Sequence, residues 1–385
     1  NLTFPNKQML IPEHFALLEK FYPFTQPNTR LNETIYSIWQ QLNPHPAGQH
    51  HNIPKIGDEF LHGVQHKYRE TVLFFPKHGQ TCHAYCTFCF RWPQFTGMEG
   101  NVFASHELEL LKIYLKNHDE VTDVLFTGGD PMTMSAKILT SYIEPLLHHD
   151  LRHIQTIRIG TKALAYWPYR FTTEKDSGEL LKLFEKIVQS GRNLAIMAHF
   201  NHPVELSTQA VENAIKKIRS TGAQIRTQSP ILNHINNDFR LWAEMWRRQV
   251  TLNCIPYYMF VARDTGARHY FSISLENAWN IFRNAYQSVS GVCRTVRGPS
   301  MSSTPGKIQV LGITEIQNQK FFVMRFLQGR NPEWVAKPFL AAYNPDATWL
   351  DELKPAFGES SFFFEKELEQ LFDSKISHYK HEDFE

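Results

Sequence analysis

Three cysteines within eight residues constrain this chain more than any other feature of its sequence. Cys82, Cys86 and Cys89 follow a C-x3-C-x2-C spacing inside the segment 81–97. An odd number of thiols on so short a segment cannot all form disulfides, but three thiolates can surround one compact inorganic centre. A [4Fe–4S] cluster normally takes four thiolates, so three would leave one iron open to a ligand that is not protein.

Two other interpretations of the cysteines stay open at this point. One is a structural zinc site in a non-catalytic interaction protein, with His83 as the fourth ligand. His83 directly follows Cys82, however, and adjacent residues rarely close a tetrahedron, while zinc knuckles prefer paired C-x2-C units. The other interpretation is that the three cysteines are unrelated and buried. The cluster is the interpretation that we carry forward.

Composition places the chain among globular proteins and narrows its partners. It has 385 residues, enough for one large domain with appendages or for two domains. A formal net charge of +2 favours neither nucleic acid nor a membrane surface as a partner. No apolar run is long enough to span a bilayer, and no signal peptide is visible, although residues may be missing before Asn1. We expect a cytoplasmic protein, because an exposed iron–sulfur loop needs a reducing compartment, and we expect Cys254 and Cys293 to be ordinary small apolar residues.

Strands and helices alternate from Thr71 onward, which predicts a parallel sheet with right-handed crossovers. The predicted strands are 71–75, 121–127, 156–160, 193–199, 224–228 and 253–260. The predicted helices are 106–118, 136–147, 179–190, 208–220 and 239–249. Six such units are too few for a closed eight-fold barrel, so we expect an α/β fold of the partial (β/α)6 TIM-barrel type. Chemistry in such barrels gathers at the carboxyl ends of the strands, where the cysteine loop falls.

The flanking regions have different patterns. Residues 1–70 show helical spacing at 12–22 and 32–42, with a loop at 43–54, so we expect an N-terminal helical extension. Residues 71–290 would form the barrel. Residues 291–385 become β-rich, with strands expected at 307–313 and 319–327, and would form a smaller C-terminal α+β region that mediates oligomerisation.

The turn Gly128-Gly129-Asp130-Pro131 ends a predicted strand about forty residues after the cysteine loop. Glycines there would let the backbone approach a ligand closely. Together with this turn, seven further segments in order make residues 60–315 resemble the lysine 2,3-aminomutase family of radical S-adenosylmethionine (SAM) enzymes. They are HKYRETVLFF, CHAYCTFCFR, IRIGTK, AHFNHPVE, TQSPIL, PYYMF and PGKIQV.

The resemblance implies a role for each matching residue. It implies that the three cysteines hold a [4Fe–4S] cluster and that the open iron binds SAM. It implies that Lys307 holds pyridoxal phosphate, and that Arg91 binds the substrate carboxylate beside the cluster. The remaining residues that it assigns to the cofactors are Phe88, Gly128, Gly129, Asp130, His199, Gln228 and Lys67.

Departures from the family concern the cofactor loop and the substrate. The glycine-rich run before the lysine is replaced here by PSMSSTPGK, and Thr71 stands at a position where the family has a second basic residue. Two aspartates that hold the lysine side chain in the family correspond here to Arg263 and to either Arg297 or Ser300. Cations would repel an ammonium and hold a carboxylate, so we expect glutamate or another acidic amino acid as substrate.

The sequence therefore predicts an enzyme that moves an α-amino group to Cβ, using a 5′-deoxyadenosyl radical and pyridoxal phosphate. The alternatives are a radical SAM enzyme without pyridoxal phosphate that acts on another anionic small molecule, and the zinc-binding interaction protein. Expected partners are an amino acid, a reductant such as flavodoxin or ferredoxin, and further copies of the chain.

Overall fold

One large sheet organises the fold in the computed structural model, which describes residues 1–21, 29–43, 49–95 and 108–380. The strands are β1 Lys55–Ile56, β2 Glu59–Phe60, β3 Val64–Tyr68, β4 Thr71–Phe74, β5 Asp123–Phe126, β6 Thr156–Thr161, β7 Asn193–His199, β8 Gln224–Ile231, β9 Ile255–Val261, β10 Arg297–Ser302, β11 Gly306–Ile316, β12 Gln319–Gly329 and β13 Pro338–Ala342. The helices are α1 Pro12–Glu19, α2 Thr29–Leu42, α3 Trp92–Phe95, α4 Leu108–Lys116, α5 Ala136–Ile143, α6 Ala163–Tyr166, α7 Ser177–Gln189, α8 Gln209–Ser220, α9 Phe239–Thr251, α10 Arg268–Phe271, α11 Leu275–Gln287 and α12 Glu365–Lys380.

Strands β4 to β9 pair in chain order, and every neighbouring pair is parallel. Their outward side chains are buried against the crossover helices in one hydrophobic core, which includes Val72, Phe126, Ile159 and Ile196. The carboxyl ends of all six strands therefore lie at the same edge of the sheet. This confirms the predicted partial (β/α) barrel.

The predicted elements of the barrel occur where the sequence placed them, with shifts at their ends. Strand β7 has the predicted bounds, whereas the helix predicted at 136–147 ends at Ile143 and continues as a short 3-10 helix over Glu144–Leu147. The first two residues of the helix predicted at 106–118 lie outside the described residues, as does His45 of the loop predicted at 43–54.

Residues 1–70, expected to form a helical extension, contain strands as well as the helices α1 and α2. Strand β3 lies in this region and pairs antiparallel with β4, so it belongs to the main sheet. In its sequence VQHKY, Lys67 reaches a seam described below, and His66 Nδ1 lies 2.6 Å from the hydroxyl of Tyr114 on α4. Helix α11, between β9 and β10, was also not predicted.

Strands β10 to β13 continue the same sheet beyond β9, in the order β10, β11, β12, β13. Strand β10 is parallel to β9, and the next three pairs are antiparallel. A second hydrophobic core, which includes Ile308, Phe326 and Trp334, lies against this part of the sheet. The predicted strands at 307–313 and 319–327 are confirmed, and the division into three domains stays a prediction.

The two ends of the sheet curve towards each other. Strand β12 contacts β3, and Lys67 on β3 donates from Nζ to the carbonyl oxygen of Ser303, between β10 and β11, at 2.5 Å. We call this line of contact the seam. It closes the barrel around an interior that the side chains of both ends line. Within the described residues, no helix is both long and apolar enough to cross a membrane.

Candidate active site

The cysteine loop follows β4 and is held in place by the Gly-Gly-Asp turn after β5. The backbone N–H of Gly129 donates to the carbonyl of Gly79 at 3.1 Å, and that of Asp130 donates to the carbonyl of Thr81 at 2.8 Å. A Cβ on Gly129 would lie 2.2 Å from the carbonyl oxygen of Thr81, so only glycine allows this approach. The turn therefore fixes the backbone directly before Cys82.

The three thiols of the loop are partly buried and lie close enough to influence one another. Burial raises the pKa of all three, and it raises the pKa of Cys86 to about 12 although the charge of Lys162 opposes the shift. Thiols in such surroundings need a positively charged metal centre to become thiolates.

The spread of the thiols distinguishes between two kinds of centre. Four sulfurs around one zinc ion lie about 3.8 Å apart, because each Zn–S bond is about 2.3 Å long in a tetrahedron. In the described part of the chain, the three sulfur atoms do not all lie within 4.8 Å of one another. The three thiols are therefore spread more widely than a single zinc ion requires.

Phe88, His199 and Gln228 meet at the rim of the barrel. His199 and Gln228 are Cα partners at the end of the β7–β8 ladder, and the ring of Phe88 lies 5.8 Å from that of His199. Burial lowers the pKa of His199 well below its usual range, and the charge of Lys162 lowers it further, so the ring is neutral. Its Nε2 has no hydrogen-bond partner within the described residues. An aromatic face beside an unpartnered ring nitrogen suits a flat heterocyclic ligand.

Asp130 has a structural role that the sequence did not predict. Its buried carboxylate accepts hydrogen bonds from Thr161 Oγ1 at 2.7 Å, from the N–H of Lys162 at 2.8 Å and from the N–H of Met132 at 3.0 Å. These bonds join the turn after β5 to the end of β6. Cofactor binding by Asp130 stays a prediction, and its carboxylate is already engaged within the protein.

Two arginines stack on the same phenylalanine of the cysteine loop. The guanidinium of Arg91 lies 5.2 Å from the ring centre of Phe90, and that of Arg263 lies 5.5 Å from it. Arg91 also donates from Nη1 to the carbonyl of Gly128 at 3.3 Å. Burial lowers the pKa of Arg91 to about 10, and the charge of Arg263 contributes to the shift. Burial also lowers the pKa of Arg263, and the charge of Asp264 opposes this decrease.

Lys307 lies at the start of β11, with its amine among aromatic rings. Nζ is 4.2 Å from the ring centre of Tyr258 and 5.6 Å from that of Phe260, and it donates to Gln328 Oε1 at 3.1 Å. Burial lowers the pKa of Lys307 to about 7, and the charge of Arg158 is the next cause. A lysine with this pKa is largely a neutral nucleophile in weakly alkaline solution.

Lys67 belongs to a group of cations around the seam. Burial lowers its pKa well below the usual value, and the charges of Arg330, Arg263 and Lys307 lower it further. Arg330, directly after β12, donates from Nε to the carbonyl of Thr304 at 2.9 Å. A concentration of basic groups such as this one attracts an anionic group such as a phosphate.

Arg297 and Ser300 lie on β10, and Arg297 acts on Lys307, because its charge contributes to the lowered pKa of that lysine. Arg297 is exposed at the start of β10 and stacks over Tyr257 at 4.9 Å. Ser300 is fully buried, and its hydroxyl donates to the carbonyl of Met259 at 3.5 Å. Substrate binding by Arg297 or Ser300 stays a prediction. Strands β9 and β10 pair with a shifted register between these two residues.

Sequence reasoning missed two cations of the site. Lys162 donates from Nζ to Asn201 Oδ1 at 2.7 Å and pairs with Glu205 Oε1 at 3.1 Å, beside the cysteine loop. The motif IRIGTK ends in this lysine, so a signal was present. Arg330 stands in no motif, and its position follows only from the pairing of β11 with β12.

Comparisons with known proteins were made on sequence and on structure. A putative L-lysine 2,3-aminomutase of Aquifex aeolicus is 33% identical over 293 residues, which are 76% of this chain and 74% of that protein. An L-lysine 2,3-aminomutase of Acetoanaerobium sticklandii is 24% identical, over 84% of this chain and 74% of that protein. A glutamate 2,3-aminomutase of Clostridioides difficile is 26% identical, over 55% and 47% respectively.

No protein-family profile matches the chain. Among solved structures, a radical SAM methyltransferase from Sphaerobacter thermophilus aligns with a TM-score of 0.41 and 15% identity, over 61% of this chain and 68% of that one.

Proposed function

Because this chain belongs to the lysine 2,3-aminomutase family of radical SAM enzymes, we propose that it moves the α-amino group of an acidic amino acid to the neighbouring carbon. The observation that carries the choice of substrate is the pair of guanidinium groups, Arg91 and Arg263, that stack on Phe90 at the cysteine loop. An acidic amino acid has two carboxylates, and each guanidinium can bind one of them through paired hydrogen bonds.

The charges that line the barrel support the same choice. Lys67, Arg91, Arg263 and Arg330 all have a lowered pKa, and burial is the largest cause in each case. A lysine substrate would bring a further ammonium into these surroundings, where like charges repel. A second carboxylate would instead be attracted, so the interior discriminates by charge.

We propose that Cys82, Cys86 and Cys89 hold a [4Fe–4S] cluster and that SAM binds beside it. When bound, this pair supplies the 5′-deoxyadenosyl radical that removes hydrogen from the substrate. The width of the thiol loop supports a cluster over zinc. Phe88 and the neutral ring of His199 would bind the adenine, and Gln228 lies next to them on the neighbouring strand.

We propose that Lys307 holds pyridoxal phosphate, which when bound supplies the π-system through which an amino group can migrate. The aromatic rings of Tyr258 and Phe260 lie beside the amine. Burial lowers the pKa of Lys307 to about 7, so the neutral amine, the form that attacks a carbonyl carbon, is far more abundant than in an ordinary lysine. Gln328 Oε1 accepts a hydrogen bond from Nζ and thereby orients the amine.

The test is a set of anaerobic incubations with SAM, pyridoxal phosphate, a chemical reductant and one amino acid at a time. We expect a β-amino acid from glutamate or aspartate and none from lysine. Lys307→Ala should abolish both the product and a borohydride-reducible absorbance of the bound aldehyde. Formation of β-lysine without any product from the acidic amino acids would contradict the proposed substrate.

Metal analysis of the anaerobically purified protein tests the cluster separately. Cys86→Ala should lose iron and sulfide, whereas Cys254→Ala, a buried cysteine elsewhere in the barrel, should retain both. Zinc in place of iron in the unaltered protein would exclude the enzyme and favour the zinc-binding alternative. Iron with SAM cleavage, but no binding of pyridoxal phosphate, would favour the radical enzyme that works without that cofactor.

A further inference from the structure

Two cations from distant parts of the sequence converge on the turn before Lys307. Lys67 Nζ donates to the carbonyl of Ser303, and Arg330 Nε donates to the carbonyl of Thr304. Because these two carbonyls belong to consecutive residues, the two cationic groups are held near each other. The charge of Arg330 accordingly lowers the pKa of Lys67, second only to burial.

The register of the β11–β12 hairpin fixes this arrangement. Gly306 is the Cα partner of Gly329, and the backbone N–H of Arg330 donates to the carbonyl of Pro305 at 3.0 Å. A Cβ on Gly306 would lie 2.3 Å from the carbonyl oxygen of Gln328, so the strands approach closely at this point. Arg330 is thus pinned beside the turn by main-chain contacts as well as by its side chain.

A cavity of about 300 Å³ opens beside these two cations. Its lining includes Lys67 and Arg330 together with Arg69 and His66, and the remaining side chains are aromatic or aliphatic. No carboxylate lines it within the described part of the chain. A cavity with basic groups in its described lining attracts an anion. A phosphate there would favour the charged form of Lys67, whose pKa burial lowers, and would pair with the guanidinium of Arg330.

The position of Thr71 gives this observation its significance. The family resemblance predicts a basic residue there, but the Thr71 side chain is buried and donates to Asp123 Oδ2 at 3.2 Å. That position therefore supplies no cation to the barrel. A second positive charge beside Lys67 comes instead from the other side of the seam.

We propose that Lys67 and Arg330 form a phosphate-binding cradle across the seam, with Arg330 supplying the cation that Thr71 does not. The ligand is a phosphate monoester. If that ester is pyridoxal phosphate, the inference rests on the proposed function. The same cradle would also hold a phosphorylated substrate.

Calorimetric titrations of the full-length, anaerobically purified protein with pyridoxal phosphate, pyridoxal and inorganic phosphate test the cradle. Loss of a charge-assisted bond in Arg330→Gln should weaken binding of pyridoxal phosphate by about 10- to 100-fold and leave the affinity for pyridoxal nearly unchanged. Arg330→Lys, which keeps the charge, should retain much of the affinity. The matched control is Arg325→Gln on the same strand, whose Nε donates to Gln309 instead. It should bind all three compounds normally.

The titrations separate the failure of the cradle from the failure of the proposed function. If Arg330→Gln binds pyridoxal phosphate as tightly as the unaltered protein does, the cradle is overturned while the cofactor stands. If the unaltered protein binds inorganic phosphate but not pyridoxal phosphate, and Arg330→Gln loses the phosphate, the cradle is supported and the pyridoxal cofactor fails. If neither protein binds any phosphate compound, the cradle is overturned. An equal loss of pyridoxal and pyridoxal phosphate would also overturn it, because the phosphate would then have no part in the effect.

Discussion

The amine of Lys307 should react as a neutral nucleophile at a pH where surface lysines are almost fully protonated. Its pKa is lowered to about 7, from the ordinary value of 10.5, by burial and then by the charge of Arg158. At pH 8 about 90% of such an amine is neutral, compared with about 0.3% of an ordinary lysine, a difference of about 300-fold. Because only the neutral amine reacts with a small electrophile, the pH at which labelling is half-maximal reports the pKa of the group.

Trace labelling with acetic anhydride measures this property without any cofactor. The protein is labelled from about pH 5 to about pH 10, and mass spectrometry compares the peptide of Lys307 with that of the exposed Lys337. We expect labelling of Lys307 to rise with a midpoint near pH 7. Arg158→Gln should move the midpoint upward, because the charge of Arg158 lowers the pKa. A midpoint near pH 10 for Lys307 in the unaltered protein would refute the reasoning.

The lowered pKa of Lys307 also determines how this residue contributes to the free energy of unfolding at different pH values. The folded protein favours the neutral amine, so it binds fewer protons at Lys307 than the unfolded chain does between pH 7 and pH 10.5. The contribution of this group to the free energy of unfolding therefore rises with pH across that window. Denaturant titrations at several pH values should show a smaller rise in Lys307→Met than in the unaltered protein.

Two substitutions test other parts of the site, each with a control. Gly129→Ala should destabilise the protein by about 1–3 kcal/mol and reduce its iron content, because the new Cβ would meet the carbonyl of Thr81. The control is Gly178→Ala, where a Cβ would lie in open space and iron should be retained. Normal iron in Gly129→Ala would contradict the role of the turn. Arg263→Gln should reduce kcat/KM for an acidic substrate by about 100-fold, while the exposed Arg268→Gln, measured in parallel, should change it less than about twofold.

The outward face of the barrel was predictable because one physical signal governs it. Strand β7, NLAIMAH, is buried along most of its length and reads as one apolar run, so its bounds were predicted correctly. Strands β3 and β10 were missed since their polar side chains serve the interior and the seam, where burial does not require apolar residues. Strand length and hydrophobic pattern thus describe the packing of the helices better than they describe the interior of the barrel.

The residues of the candidate site also differ in whether the sequence alone could identify them. Residues within contiguous motifs, such as Cys82 and Lys307, could be identified because their spacing is local. Arg330 could not, because its place beside Lys67 depends on a hairpin register and on the contact of β12 with β3. Arg297 was assigned by matching its RGP segment to the family, and Ser300 by counting back from Lys307. Neither comparison reveals the shifted register between β9 and β10 that determines the contacts of these two side chains.

The seam has a consequence for the order in which the protein is assembled. A chain is synthesised from its N-terminus, and its early parts begin to fold while later parts are still being made. The cysteine loop precedes β11 and β12 by more than two hundred residues, yet those strands complete the ring around it. During synthesis the loop therefore exists as part of an open sheet long before the barrel can enclose it. A machinery that inserts a cluster could reach the cysteines in that interval, whereas a ligand held between Lys67 and Arg330 can bind only after the last strands have arrived.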